Sequence, residues 1–384
     1  MTSKLDRKTI SNLGKLSSIQ FLRLSGVFFI IPLIAVYAGK FTSNDILIGL
    51  SLGAYEISMA IMQVPSGYFS RITGKKNYIY VGLTIFIIGN LLSYFASNIW
   101  LLILGRLVAG LGAISSPISS LAIDMVPEDR KNSAMAITGV GIGFAFLGGI
   151  GLSPIIAAYI GIQNFFLISS FFGILAIIMV PGIPEYNKIE KGIDKIFNQN
   201  TFMIFAGTFL LSILSFIIFY NLQIYVSKEY GLYNYGLILF LGLLISGIIA
   251  VSISEGIYRR RKFNIILLSS LLIMVGSIVL FTSLLSHPDV ILLTFSIIPF
   301  FTGFSIYEIS AIPLLTRFLG KGERNLSFGL FYAFQYTGNG IGAIIGGAIS
   351  AFESTNSILI SLSLSVILGV LSGLLYITVS SRNN

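Results

Sequence analysis

The chain has 384 residues, of which 55% are hydrophobic and 10% charged, with no Cys and a single His. Soluble domains carry about a quarter charged residues, so this composition belongs to an integral membrane protein. It excludes disulfides, thiolate catalysis and cysteine metal sites, and one His leaves little for a zinc or haem centre. A net charge of +9 fits either a nucleic-acid partner or uneven membrane loops, and the positions of the charges decide which.

Apolar segments of about 20 residues, the length that crosses a hydrocarbon core of about 30 Å, fall at 17–38, 45–67, 77–96, 100–123, 132–160 and 162–181. The series resumes at 201–226, 234–257, 263–285, 289–318, 326–350 and 355–379. Twelve spans predict an all-α integral membrane protein with both termini on one side. Lys4, Arg7, Lys8 and Lys15 precede the first span and orient the termini to the cytoplasm, and the segment is too long for a removable leader. Of the 24 Lys and Arg, all but Arg23, Lys40, Arg106 and Lys228 then fall on the cytoplasmic side. The excess positive charge is therefore the positive-inside asymmetry, and no nucleic-acid partner is needed.

The longest polar connector, PGIPEYNKIEKGIDKIFNQN, separates the sixth span from the seventh. It divides the chain into an N-terminal six-helix bundle at 1–181, a cytoplasmic linker at 182–200 and a C-terminal six-helix bundle at 201–384. Similar stretches recur in the two halves: DRKNSAMA at 129–136 with ERNLSFGL at 323–330, and SGYFSR at 66–71 with EGIYRR at 255–260. Parallel six-helix repeats predict a carrier whose bundles rock about a midplane site. The Gly-rich fifth and eleventh spans predict close helix packing.

The hinge GYFSRITGKK (67–76) resembles the signature loop between the second and third spans of the major facilitator superfamily, keeping Gly67, Gly74, Lys75 and Lys76. LGRLVAGLGA (104–113) is similar to that family's fourth-span motif and its arginine, and Asp124, Pro127 and Arg130 follow in its D-x-x-P-x-x-R manner. Within it, FLRLSGVFFIIPLIAVYA (21–38) and FSIYEISAIPLLTRF (304–318) resemble the YajR-type carriers of the drug:proton antiporter branch. The resemblance implies two pseudo-symmetric six-helix bundles in the cytoplasmic membrane, a monomer, and proton-coupled efflux by alternating access. It also implies a gating role for the 67–76 hinge with Asp124 and Arg130. Two departures stand out. Arg71 occupies the place of the family's hinge aspartate, so Arg71 is expected to turn toward Asp124 or lipid headgroups. In the fifth span the antiporter signature's Gly-Pro and Gly-Gly stand as Ser153-Pro154 and Ala157-Ala158.

Ionisable groups inside a bilayer are costly and mark function. Of the 15 acids, only two lie deep. Glu56 is about 16 Å along a helix from Asp45, close to the midplane, and Glu308 lies slightly to the cytoplasmic side of the centre of the tenth span. Arg23 is about 7 Å cytoplasmic of the centre of the first span, and Arg106 about 9 Å outward of that of the fourth. Glu56 reads as a proton-coupling or substrate group, as a static partner of Arg23, or as a lipid-facing residue, and Arg23 as a functional charge or one that snorkels to the cytoplasmic interface; Glu308 and Arg106 read as coupling groups by the resemblance. Substrate-binding candidates are the mid-depth polar and aromatic residues Tyr37, Gln63, Asn90, Tyr220, Asn221, Gln223, Tyr307, Tyr332, Gln335, Tyr336 and Asn339. Of these, Tyr332, Gln335 and Asn339 share one helix face. His287, beside Pro288, reads as a solvated turn. An aromatic pocket with few charges predicts a lipophilic or amphipathic small-molecule substrate, with protons as the coupling ion. Uptake of an organic acid drawn to Arg23 and Arg106, and a non-transporting sensor or scaffold, are the alternatives. No nucleophile and base pair supports an enzyme, and no cofactor or metal is expected.

Overall fold

Prolines and polar caps decide where these helices start and break. The computed structural model describes residues 6–127, 130–185, 199–260, 265–285, 289–316, 324–352 and 354–381. His287, Pro288 and most of the charged linker lie outside them. The first span is α1 (Arg7–Ile30) followed by the short α2 (Ile34–Ala38). Pro32 lies between them, where its missing N–H and its ring prevent one continuous helix. The second span is α3 (Asp45–Thr73), opened by Asn44, whose side chain accepts from the N–H groups of Ile46 and Leu47. Gly74, at φ 86°, turns the chain directly into α4 (Lys75–Tyr94); that left-handed conformation favours glycine.

The fourth span is broken into α5 (Ile99–Leu111) and α6 (Ser115–Asp124), with Asn98 capping the first of them at Leu101 N–H. The break precedes Pro117, which cannot donate to the Ala113 carbonyl and would collide with it in a straight helix. Then come α7 (Lys131–Ile160), α8 (Asn164–Met179) and a 3₁₀ turn at Val180–Gly182. The second group comprises α9 (Gln199–Asn221), a π turn at Leu222–Val226, α10 (Ser227–Arg260), α11 (Ile265–Leu285), α12 (Val290–Thr316), α13 (Arg324–Ser350) and α14 (Ser354–Ser381).

Among the described residues, 10 stretches are long and apolar enough to cross a membrane. One of them, Gln199–Ile253, divides at Gly231, whose φ of 76° interrupts α10. The Gly- and amide-rich α13, 27 residues long, completes the twelve spans. Two six-span bundles result. In the first, α1 packs on α7 and α8, and α4 on α5 and α8; in the second, α9 packs on α13 and α14, and α11 on α12 and α14. The bundles meet along two seams, α3 with α13 and α7 with α10. These seams exchange under the internal repeat, because the second span corresponds to the eighth and the fifth to the eleventh.

Each seam is tight near one membrane face. Gly49 and Gly53 of α3 abut the backbone of α13 at Gly340, Ala343 and Gly347, and Gly151 of α7 abuts Phe240 of α10. Small residues allow this approach. Tyr220 donates to the Asp45 carbonyl at 3.4 Å across the same face, and Gln223 accepts from Ala35 N–H at 3.0 Å. That N–H is one that the break at Pro32 leaves without a regular helical partner.

Candidate functional site

The opposite face, which carries the Lys- and Arg-rich hinges, is open. A cavity of about 1290 Å³ runs in from it between the bundles. Its mouth is formed by the hinge-side ends of α3, α6, α7 and α10, including Tyr68, Ile123, Met135 and Ser252. Its inner wall is aromatic: Phe28 packs edge-on to Phe146 at 5.3 Å, Phe146 stacks on Phe304 at 5.9 Å, and Phe304 meets Phe219 at 6.2 Å.

Glu56 and Glu308 are the charged residues among the described ones that line this cavity. Glu56, on α3, accepts from Asn339 Nδ2 of α13 at 3.0 Å, a hydrogen bond between the two bundles. Glu308, on α12, is exposed to the cavity and accepts from Gln335 Nε2 of α13 at 2.5 Å. Tyr332 stacks on Tyr336 at 6.1 Å, and with Gln335 and Asn339 the two rings form one cavity-facing side of α13. Positions i, i+3, i+4 and i+7 of a helix share a face, so the twist of α13 alone brings these four together.

Behind the first bundle's wall, Arg23 and Arg106 are fully buried. Both converge on Tyr55. Arg23 NH2 donates to the Tyr55 hydroxyl at 3.0 Å and its NH1 to Ser115 Oγ at 3.2 Å, while the Arg106 guanidinium lies 4.6 Å over the Tyr55 ring. No guanidinium nitrogen of Arg106 has a hydrogen-bond partner, so the ring face supplies its attraction. The static Glu56–Arg23 pair considered from the sequence does not form. Glu56 turns to Asn339, and Tyr55 and Ser115 take the place of an acid beside Arg23. Tyr55 was not among the sequence candidates; its position next to Glu56 in a span was the available signal.

Of the remaining substrate-binding candidates, Gln63 lines the cavity. Tyr37, Asn90, Tyr220, Asn221, Gln223 and Tyr307 do not. Tyr37 packs on Phe41 and Phe166, Asn90 donates to the Phe86 carbonyl at 2.8 Å, and Asn221 donates to that of Ile217 at 2.7 Å. Tyr307 is buried away from the lining.

In the hinge, Gly67 lines the cavity and Lys75 is buried in an ion pair with Asp124. Asp124 pairs with Lys75, the first residue of α4; the Arg71 side chain, expected to turn toward Asp124 or lipid headgroups, lies outside the described residues. Arg130 stands at the N-cap of α7. Sequence reasoning also passed over Glu185, the acid after Pro184. Its two oxygens accept from the N–H groups of Lys75 and Lys76 at 2.8 and 3.1 Å, while Lys76 Nζ donates to the Pro181 carbonyl at 3.3 Å. A carboxylate on a helix N-terminus is favourable by about 0.3–1 kcal/mol. Glu185→Gln should therefore cost about 0.3–1 kcal/mol in thermal unfolding, and the loss should shrink in molar salt because the group is exposed.

Two helical bundles enclosing one cavity, sealed at one membrane face and open at the other, define a membrane transporter. The sequence matches the pattern of the Major Facilitator Superfamily over residues 16–323, and the chain belongs to that family. An uncharacterized transporter of Buchnera aphidicola is 30% identical over 333 residues, covering 83% of this chain and 84% of that protein. The inner membrane transport protein YajR of Escherichia coli is 24% identical over 375 residues, covering 90% and 78%. In fold, the chain is similar to a bacterial homolog of the human lysosomal transporter Spinster in an inward-facing, occupied conformation. That match has a TM-score of 0.79 at 14% identity and covers 98% of both chains.

Proposed function

We propose that this transporter is a monomeric, proton-coupled exporter of lipophilic or amphipathic small molecules in the cytoplasmic membrane. Its termini and hinges are cytoplasmic, and the open cavity is its inward-facing state. The observation that carries the reading is the arrangement of the two cavity acids, each hydrogen-bonded to an amide of the seam helix α13. A membrane-embedded carboxylate must be neutralised by a proton, a cation or a partner. Rocking that parts α3 from α13 removes the Asn339 partner from Glu56, so proton occupancy and conformation depend on one another. The aromatic inner wall supports an apolar cargo, since ring faces hold apolar groups without strict geometry.

Purified protein in vesicles tests the reading. An imposed proton gradient should drive a lipophilic dye against its own gradient, and Glu56→Gln and Glu308→Gln should each abolish that uphill movement while downhill exchange persists. Transport whose pH dependence is unchanged in both variants would overturn the coupling, and dye moving in the same direction as the protons would make the protein an importer.

A further inference from the structure

We propose that the break in the fourth span is a receptor for the anionic head of an amphiphile whose tail lies along the aromatic wall; this rests on the cavity being the transport site. The break gives α6, a 10-residue helix, a fresh N-terminus in mid-membrane, and its N-cap Ile114 has no side chain to accept from the first turn. Such an end presents free N–H groups and a partial positive charge. Side chains add donors there. Gln20 Nε2 and Arg23 NH1 both donate to Ser115 Oγ, each at 3.2 Å, so the Ser115 proton is free to point elsewhere. Gln63 Nε2, on a residue 2% exposed, and Gln20 Oε1, on a residue 4% exposed, have no partner, and both residues line the cavity. A half-turn of the Gln20 amide lets Ser115 donate to Oε1 and frees Nε2 for a ligand.

Charge points the same way. Arg23 and Arg106 are both fully buried behind this wall, and neither forms an ion pair with a described residue. Glu56 directs its hydrogen bond across to Asn339. The wall at Gln20, Gln63, Ser115 and Ser116 is therefore rich in donors and backed by guanidinium charge without a carboxylate in contact. A carboxylate or phosphate monoester would satisfy those donors through charge-assisted hydrogen bonds. From that point the cavity leads inward to Phe28, Phe146 and Phe304, which would bury an alkyl or aryl tail.

Equilibrium titration of the detergent-solubilised protein with hexyl phosphate, hexanoate and hexyltrimethylammonium tests the site. Hexyl phosphate or hexanoate should bind at least about tenfold more tightly than the cation, as expected for charge-assisted contacts, and the tighter of the two anions identifies the head. Ser115→Asp supplies the anion from the chain itself. It should keep the fold, raise the unfolding temperature, and weaken the preferred anion by about tenfold or more. Arg23→Gln should weaken that anion in the same sense. The proposal fails if the cation, held at Glu308, binds as tightly as either anion, or if Ser115→Asp leaves anion binding unchanged. No proton gradient enters this measurement, so failure of coupling in vesicles would leave the head site standing, and failure here would leave the roles of Glu56 and Glu308 intact.

Discussion

Gly53→Val opens the sealed face. A Cβ placed on Gly53 would stand 2.6 Å from the carbonyl oxygen of Gly340 on α13. That oxygen belongs to a helix backbone and cannot rotate away as a side chain would. Gly49 is equally confined by Ala343, and Gly347 by Asp45, so the seam offers no slack along its length. Overpacking of this kind costs about 1–3 kcal/mol, and it is felt only in the conformation that brings α3 and α13 together. Each 1.4 kcal/mol changes a ratio of states about tenfold, so the variant should move the population strongly toward the state with the opposite opening. The chain has no cysteine, so spin labels at Ser43 and Phe352 report the distance across this face without background. A longer-distance population should appear in Gly53→Val and be absent in Gly148→Val, where an added Cβ meets nothing within 4 Å. Identical distance distributions in the two variants would mean that the seam does not set the resting state.

The parts of this architecture that lipid dictates were open to sequence reasoning. A span must be apolar for about 20 residues whatever it packs against, so the twelve segments and their hinges are visible without any tertiary information. Glu56 and Glu308 could be singled out as acids deep within apolar segments by counting along a helix, and both line the cavity. Direction around the helix was not legible. Gln223 and Asn339 are both amides within apolar spans, yet one serves Ala35 N–H at the broken first span and the other faces the cavity toward Glu56. Only the packing of the π turn after α9 and of α13 distinguishes them. The face of α13 was the exception, because four polar or aromatic residues in a Gly-rich helix mark their own side. The break at Ile114 had a local signal in Pro117, but the two arginines around Tyr55 depend on contacts between spans far apart in sequence, which no local pattern encodes. Glu185 lay in a connector read only as the polar divider between the bundles, and its role appears only once α4 is seen to begin beside it.

Asp124→Ala should cost about 3–5 kcal/mol of stability, the usual result of stranding one charge of a buried pair. The Lys75 and Asp124 side chains are 5% and 8% exposed, so neither is well solvated when its partner is lost. Lys75→Met should be comparably damaging, since it leaves a carboxylate enclosed. Combining Lys75→Met with Asp124→Leu removes both charges and fills the space, so the double variant should recover most of the loss. A double-mutant cycle in denaturant then isolates the coupling between the two groups; single variants within about 1 kcal/mol of the parent would instead mean a solvated pair of little value. The pair joins the first residue of α4 to the last of α6, both within the first bundle. Its place is therefore to hold the hinge side of that bundle rigid while the seams change. If the double variant regains stability and also transports, rigidity was all the pair supplied. Recovered stability without transport would mean that the charges also act in the opening and closing of the hinge-side face.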